Sequence, residues 1–293
     1  MNLKGSISQL NPLLKLAVLL ILIFVNMLIL QFIALGVFGN FTDWNIQQYR
    51  LIVVLSPVFN LIVPGLIFYY LNFNNKGVSK LGFKNVQNIY WIALIPLFLL
   101  IIQSIPVIVN TNEVLFNLLG LQELVNSTAD NYESNILMFI KDASASDMAI
   151  NIIGIAFLTA IGEEIVFRGI LQKLICKFTK NMHFGILLSA FIFSLVHWEF
   201  SGFLNRMFLG LVYGYIVVYS GSLFIVMILH FLNNAIGIIG MWYVTNYATQ
   251  QELAEVANQS NDGVKIIPII SLLLLSGLLY YFKVNSKEDL STY

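Results

Sequence analysis

One cysteine, Cys176, is all that the 293 residues contain, so an internal disulfide and a cysteine-rich metal cluster are both excluded and the thiol is expected to pack. Charge is nearly as scarce. Charged residues make up 10% of the chain, where an ordinary soluble domain carries roughly a quarter. Fifteen basic residues balance 15 acidic ones, which leaves no cationic excess of the kind nucleic-acid binding needs. Internal repeats, low-complexity linkers and an HExxH zinc helix are also missing. What remains is apolar: 58% of residues are hydrophobic and the mean hydropathy is +0.83, a composition suited to a bilayer rather than to water.

A helix crossing about 30 Å of hydrocarbon needs about 20 mostly apolar residues. Eight segments meet or approach that length: 14–38, 51–72, 89–109, 148–172, 184–198, 203–219, 222–243 and 266–282. The first is too long for the apolar part of a signal peptide and reads as a retained anchor. The expected fold is therefore an all-α polytopic membrane protein of about eight spans enclosing a cavity. Residues 1–147 supply the first spans and an outer loop, 148–243 the core helices, and 244–293 a second outer loop and the last span.

Orientation follows from the lysines, since cytoplasmic loops are enriched in them. Lys4, Lys15, Lys76, Lys80, Lys84, Lys173, Lys177 and Lys180 fall at alternate span ends, whereas 110–147 and 244–265 are rich in acids. Both termini are thus expected in the cytoplasm and the two acidic loops outside, with the plasma membrane as location. Apolar stretches 114–125 and 136–140 are expected as interfacial helices. Gly210 and Gly214 form a small-xxx-small pair suited to close packing, and prolines 57, 64, 96 and 106 mark kinks.

An ionisable side chain at mid-bilayer costs roughly 2.5 to 3.5 kcal/mol, so each one requires a partner or a function. Glu163, Glu164, Arg168, His197 and His230 are the clear cases, while Arg206, near an outer end, is expected to snorkel and no span holds an aspartate. At about 1.5 Å per residue, Glu163, His197, His230 and Asn234 lie roughly 15, 20, 12 and 18 Å deep, one layer. Glu164 and Arg168 are four apart on one helix face and should pair. Glu163 points about 100° away and stays available for chemistry. His230 and Asn234 are likewise four apart, with Asn233 as a substitute.

These residues make three ordered patterns, Glu163-Glu164-x-x-x-Arg168, Phe193-x-x-x-His197 and His230-x-x-x-Asn234. The set resembles the CAAX protease and bacteriocin-processing family, also described as the Abi family, of intramembrane glutamic endopeptidases, over residues from about 155 to 240. The resemblance implies that Glu163, with His197, holds and activates a water, while His230 and Asn234 stabilise the oxyanion at the scissile carbonyl. Arg168 would anchor Glu164, and Phe193 would pack beside His197. No cofactor is implied. The implied partners are membrane lipid and a membrane-associated peptide or protein, with prenylated C termini, leader peptides, pheromones or bacteriocins, or immunity to them, as the range of roles.

Other chemistries use the same inventory. A zinc site of Glu163, His197 and His230 plus water satisfies three-ligand catalytic geometry. A proton-coupled transporter would also bury Glu, Arg and His, but an inverted repeat is lacking. A non-catalytic scaffold or immunity protein could bind a peptide in the same cavity. A serine protease would have to use Ser220-Gly221-Ser222, at a span boundary. His183, in a lysine-rich loop, is expected to be an ordinary exposed residue, and the Asn126-Ser-Thr sequon carries no functional weight.

Overall fold

In a computed structural model, residues 3–73, 81–249, 252 and 266–288 are described, and among them there is no β-strand. Nine principal helices follow in order: α1 Pro12–Phe38, α2 Ile46–Asn72, α3 Leu94–Leu118, α4 Gln122–Ile140, α5 Ala145–Thr179, α6 Met182–Leu195, α7 Phe203–Ser220, α8 Phe224–Asn246 and α9 Ile266–Val284. Seven of them, all but α4 and α6, are long and apolar enough to cross a membrane. The chain is an all-α polytopic membrane protein.

Helix starts are written locally. Asn11 caps α1, accepting from Leu14 N, with Pro12 in its first turn. Asn45 and Gln48 form a reciprocal capping box on α2, and Ser144 and Asp147 form another on α5. Pro57 cannot donate to the helix ladder, and directly after it α2 widens into a π-helical turn over Val58–Ile62.

The expected spans correspond to helices, with three corrections. The third runs on to Leu118, because Thr111 and Asn117 interrupt the apolar pattern without breaking the helix. The two interfacial helices expected in 110–147 are replaced by that extension and by the single helix α4. The fifth span is only 14 residues, about 21 Å long, and ends at Leu195. His197 therefore lies in the turn beyond α6 rather than on a span.

Helices α5 and α7 are central: 56% and 61% of their apolar windows are buried, against 17% for α1 and α3. Missing side chains allow the close approach. A Cβ on Gly154 would lie 2.8 Å from Val54 Cα, and one on Gly162 would lie 2.8 Å from Leu61 Cβ, so α2 and α5 run parallel almost backbone to backbone. Gly210 does the same for α7 against α6, where an added Cβ would meet Ala190 Cβ at 2.8 Å. The small-xxx-small pair packs as its spacing predicts.

The two ends of the bundle differ. At one end the chain ties itself together through Gly82, Lys84, Ser222 and Leu223: Leu223 N donates to Gly82 O at 2.8 Å and Ser222 Oγ to Lys84 O at 2.8 Å. Lys84 pairs there with Glu288 at 2.8 Å, and Lys173 Nζ donates to Leu81 O at 3.1 Å. The opposite end carries Asp43, Asp147, Glu199 and α4. Arg50, buried, joins it by pairing with Asp147 at 2.6 Å and donating from Nη2 to Phe139 O at 3.3 Å. The charges at Lys76, Lys80, Glu255, Asp262 and Lys265 lie outside the described residues.

Candidate active site

Glu163 closes a short α-helical stretch of α5, and the next residues, Glu164–Leu171, form a widened π turn, as Ile152–Leu158 do earlier in the same helix. Such turns recur at functional sites because they re-aim side chains that a regular helix would fix. Here two adjacent carboxylates straddle one imidazole. His230 Nδ1 lies 2.8 Å from Glu164 Oε1, and its Nε2 lies 3.4 Å from Glu163 Oε2. On the other side of Glu163, His197 Nε2 stands 3.6 Å from Oε1.

The neighbours fix the two rings. His197 Nδ1 is 2.7 Å from Phe193 O, one turn back, and a carbonyl only accepts, so Nδ1 carries the hydrogen. In neutral imidazole that leaves the lone pair on Nε2, facing Glu163. His230 turns Nδ1 to a carboxylate, which likewise accepts. Glu164 is fully buried and also takes a hydrogen bond from Arg168 Nη1 at 2.9 Å. The predicted Glu164–Arg168 pair is present, but Glu164 does more than the spacing suggests, because the same oxygen orients His230.

Phe193 packs where these groups meet. The Arg168 guanidinium carbon sits 4.4 Å from its ring centroid, and the rings of His197 and His230 meet it edge-on at 4.9 and 5.9 Å. Arg168 Nη2, Glu164 Oε2 and Tyr213 Oη are buried here without a hydrogen-bond partner among the described residues.

Glu163, His197, His230, Asn234 and Phe193 all line one cavity of about 380 Å³. Asn233 lines it as well, and neither Asn233 nor Asn234 has a side-chain hydrogen bond among the described residues. A second, apolar hollow of about 470 Å³ reaches Glu163 and His197 from the other side, walled by Leu16, Leu19, Leu20 and Ile23 of α1 and by Val166, Phe167 and Leu171 of α5.

Several lining residues escaped the sequence reading. Tyr132 and Ile136 of α4 form a wall, although α4 scores as an outer loop by composition. Arg206 does not snorkel. Its Nη1 lies 2.8 Å from Glu199 Oε2, its Nη2 donates to Glu199 O, and Asn205 and Arg206 both line the cavity. Glu199 is buried in the turn before α7, where Ser201 N and Gly202 N donate to it. Burial pushes its carboxyl up, but the hydrogen bonds from Ser201 and the Arg206 charge outweigh this and hold it below the usual carboxylate range. Asn112 of α3 fixes the same turn, donating to Phe200 O at 3.0 Å and Ser201 O at 2.9 Å. Opposite charges seven residues apart around Ser-Gly were the available signal.

The hydroxyls of Ser220 and Ser222 are occupied at the lysine-bearing end, Ser222 on Lys84 O. His183 is exposed, and its Nδ1 is 2.9 Å from Tyr215 Oη. Among the described residues no group of three or more His, Cys, Asp and Glu side chains is arranged to hold a metal ion.

Residues 145–236 match the family model described as Type II CAAX prenyl endopeptidase Rce1-like. That stretch opens with the first residue of α5 and closes two residues past Asn234, so it takes in all three motifs and bears out the resemblance they carry. No curated protein and no solved structure matches the chain.

Proposed function

We propose that this chain is an intramembrane endopeptidase that hydrolyses a peptide bond in a membrane-anchored peptide or protein with a water activated by Glu163 and His197. The observation that carries the reading is Glu163 at the cavity wall with an imidazole nitrogen on each carboxylate oxygen, at 3.6 and 3.4 Å. The match to an endopeptidase family over the same helices supports it.

The chemistry follows from what each atom can donate or accept. Glu163 Oε1 and His197 Nε2 are both acceptors, and a water about 2.8 Å from each would see them about 80° apart. Both of its protons then point at bases, and its lone pair is free to attack a carbonyl. His230 and Asn234 face the same space one helical turn apart. His230, with Nδ1 held on Glu164, presents Nε2 to the developing oxyanion, which it stabilises whenever that nitrogen carries a hydrogen. The Asn234 amide supplies a second donor, and such donors are worth about 3 kcal/mol each in a shielded site. No acyl-enzyme forms, because the water is the nucleophile.

The apolar hollow beside Glu163 supports a substrate held by an apolar anchor. Plasma membrane location with both termini in the cytoplasm is part of the proposal, supported by the segregation of lysines to one end of the bundle.

The test is purified protein in detergent with a labelled peptide library, comparing wild type with Glu163→Gln and His197→Ala. Turnover should fall by at least 10² in each variant. Equal turnover in all three would end the enzymatic reading. Activity that survives exhaustive chelation, with no stoichiometric metal on elemental analysis, separates the glutamate route from a zinc route; loss restored by zinc would reverse that assignment.

A further inference from the structure

Of the residues assigned to the chemistry, Glu163, His230 and Asn234 stand on helices, whereas His197 stands in the turn between α6 and α7. Its ring has little to hold it there. Nδ1 is tied to Phe193 O, and Nε2 lies 3.6 Å from Glu163 Oε1, past hydrogen-bond reach. The ring therefore goes where the turn puts its Cα. One residue on, the chain leaves α6 through Trp198 at φ +51°, a left-handed conformation that a bulky residue keeps only where its surroundings hold it.

Much of that hold comes from other helices. Asn112 of α3 is 2% exposed and spends both its amide hydrogens and its oxygen on the turn: Nδ2 donates to Phe200 O at 3.0 Å and to Ser201 O at 2.9 Å, and Oδ1 accepts from Leu204 N at 2.9 Å. Two carbonyls and one N–H must be met at once, and an ionised aspartate of the same shape has no hydrogen to give. Thr128 of α4 accepts from Phe200 N at 3.2 Å. Phe116, one turn past Asn112, packs its ring 5.9 Å from that of Phe200 and 6.1 Å from that of Phe203. All three residues precede the matched stretch 145–236, so no role for them comes with the match.

We infer that Asn112 is a positioning residue for His197: it touches no reacting atom, and acts through the turn by fixing how far the imidazole stands from Glu163. Its effect on rate rests on the protease reading, whereas its hold on the ring does not. Losing three hydrogen bonds together frees the turn, and a displacement of about 1 Å at a water shared by Glu163 and His197 costs about 10²-fold.

The test exploits a chain with only three histidines, His183, His197 and His230. Full-length protein in detergent, labelled with 13C at histidine Cε1, gives one NMR signal per ring, assigned with His183→Ala and His197→Ala. In Asn112→Ala the His197 signal should shift or broaden while those of His183 and His230 hold. A His197 signal that stays put would overturn the inference, as would all three moving together, the mark of a general loosening. Turnover of a labelled peptide drawn from the library is the second arm. Asn112→Ala should lower kcat by about 10- to 10²-fold with KM little changed, and should lower it no further in a His197→Ala background. Wild-type kcat, or an equal loss in both backgrounds, would show that Asn112 does not act through His197. If Asn112→Ala does not accumulate, Thr128→Val takes its place in both arms, keeping the side chain's shape and losing the hydroxyl that accepts from Phe200 N. Failure of the protease reading shows separately, as unchanged turnover in Glu163→Gln, and the ring signals then still decide whether Asn112 holds His197.

Discussion

Replacing Glu164 should unfold the protein sooner than replacing Glu163. Glu164 is 0% exposed, and one of its oxygens receives hydrogen bonds from Arg168 at 2.9 Å and His230 at 2.8 Å. In Glu164→Gln the Arg168 guanidinium, 1% exposed, keeps its charge and loses its counterion. Breaking a buried pair from one side costs about 3 to 5 kcal/mol, because the remaining charge stays desolvated. Against a total stability of about 5 to 15 kcal/mol this is a large fraction, and it corresponds to a fall in Tm on the order of 10 °C. Glu163 meets only two imidazole nitrogens, at 3.6 and 3.4 Å, and borders a cavity, so Glu163→Gln should cost about 1 kcal/mol or less. Detergent-solubilised protein followed by a thermal scan, with membrane yield as a second reading, measures both. Should Glu163→Gln melt lower than Glu164→Gln, the division of labour between the two carboxylates is reversed. If Glu164→Gln melts like wild type, Arg168 is not held by that carboxylate.

Three further outcomes are expected. Asn234→Ala should lower kcat by about 10² to 10³ with little change in KM, and Asn233→Ala should do so only if the second amide is the oxyanion donor; single-turnover kinetics on the two variants decides. Gly154→Ala places a Cβ 2.8 Å from Val54 Cα, which forces α2 away from α5 and should cost about 1 to 3 kcal/mol, whereas Gly36→Ala, with open space, should cost nothing; paired melts with a fall for both would refute the close approach as the cause. The Glu199 carboxyl sits below its ordinary value of 4.5 in the folded protein. Its stabilisation is then complete above that value and disappears as pH falls through the lowered one, so the gap in Tm between wild type and Glu199→Gln should close on acidification; a gap independent of pH from neutral to acid would count against the Arg206 and Ser201 contacts.

Much of this architecture is legible in the sequence because lipid leaves so few solutions. Apolar runs near 20 residues must be helices, a buried Glu164 and Arg168 must find each other, and Glu163 shares its depth with the histidines. What stays hidden is where a helix carries on or stops for reasons other than hydropathy. Phe193 O captures the His197 ring just past the end of α6, so His197 sits in a turn that hydropathy merges into the span. Helix α4 averages as polar, and only its contacts with α5 and α8 reveal that Tyr132 and Ile136 wall the cavity. Glu199 and Arg206 look like separate surface charges until the turn before α7 folds them onto each other. The second role of Glu164 is invisible for a different cause: an i,i+4 pair explains it completely on one helix, and nothing on that helix announces the imidazole arriving from another.

That imidazole is held at Nδ1 by Glu164 and turns Nε2 toward Glu163, the residue before it on α5. Its ring cannot spin about the Cβ–Cγ bond without surrendering the bond to Glu164, so the cost of aiming it is met once, during folding, and not again when a ligand arrives. A compound shaped to that outline would therefore meet a rigid target, with affinity governed by fit rather than by adaptation of the host.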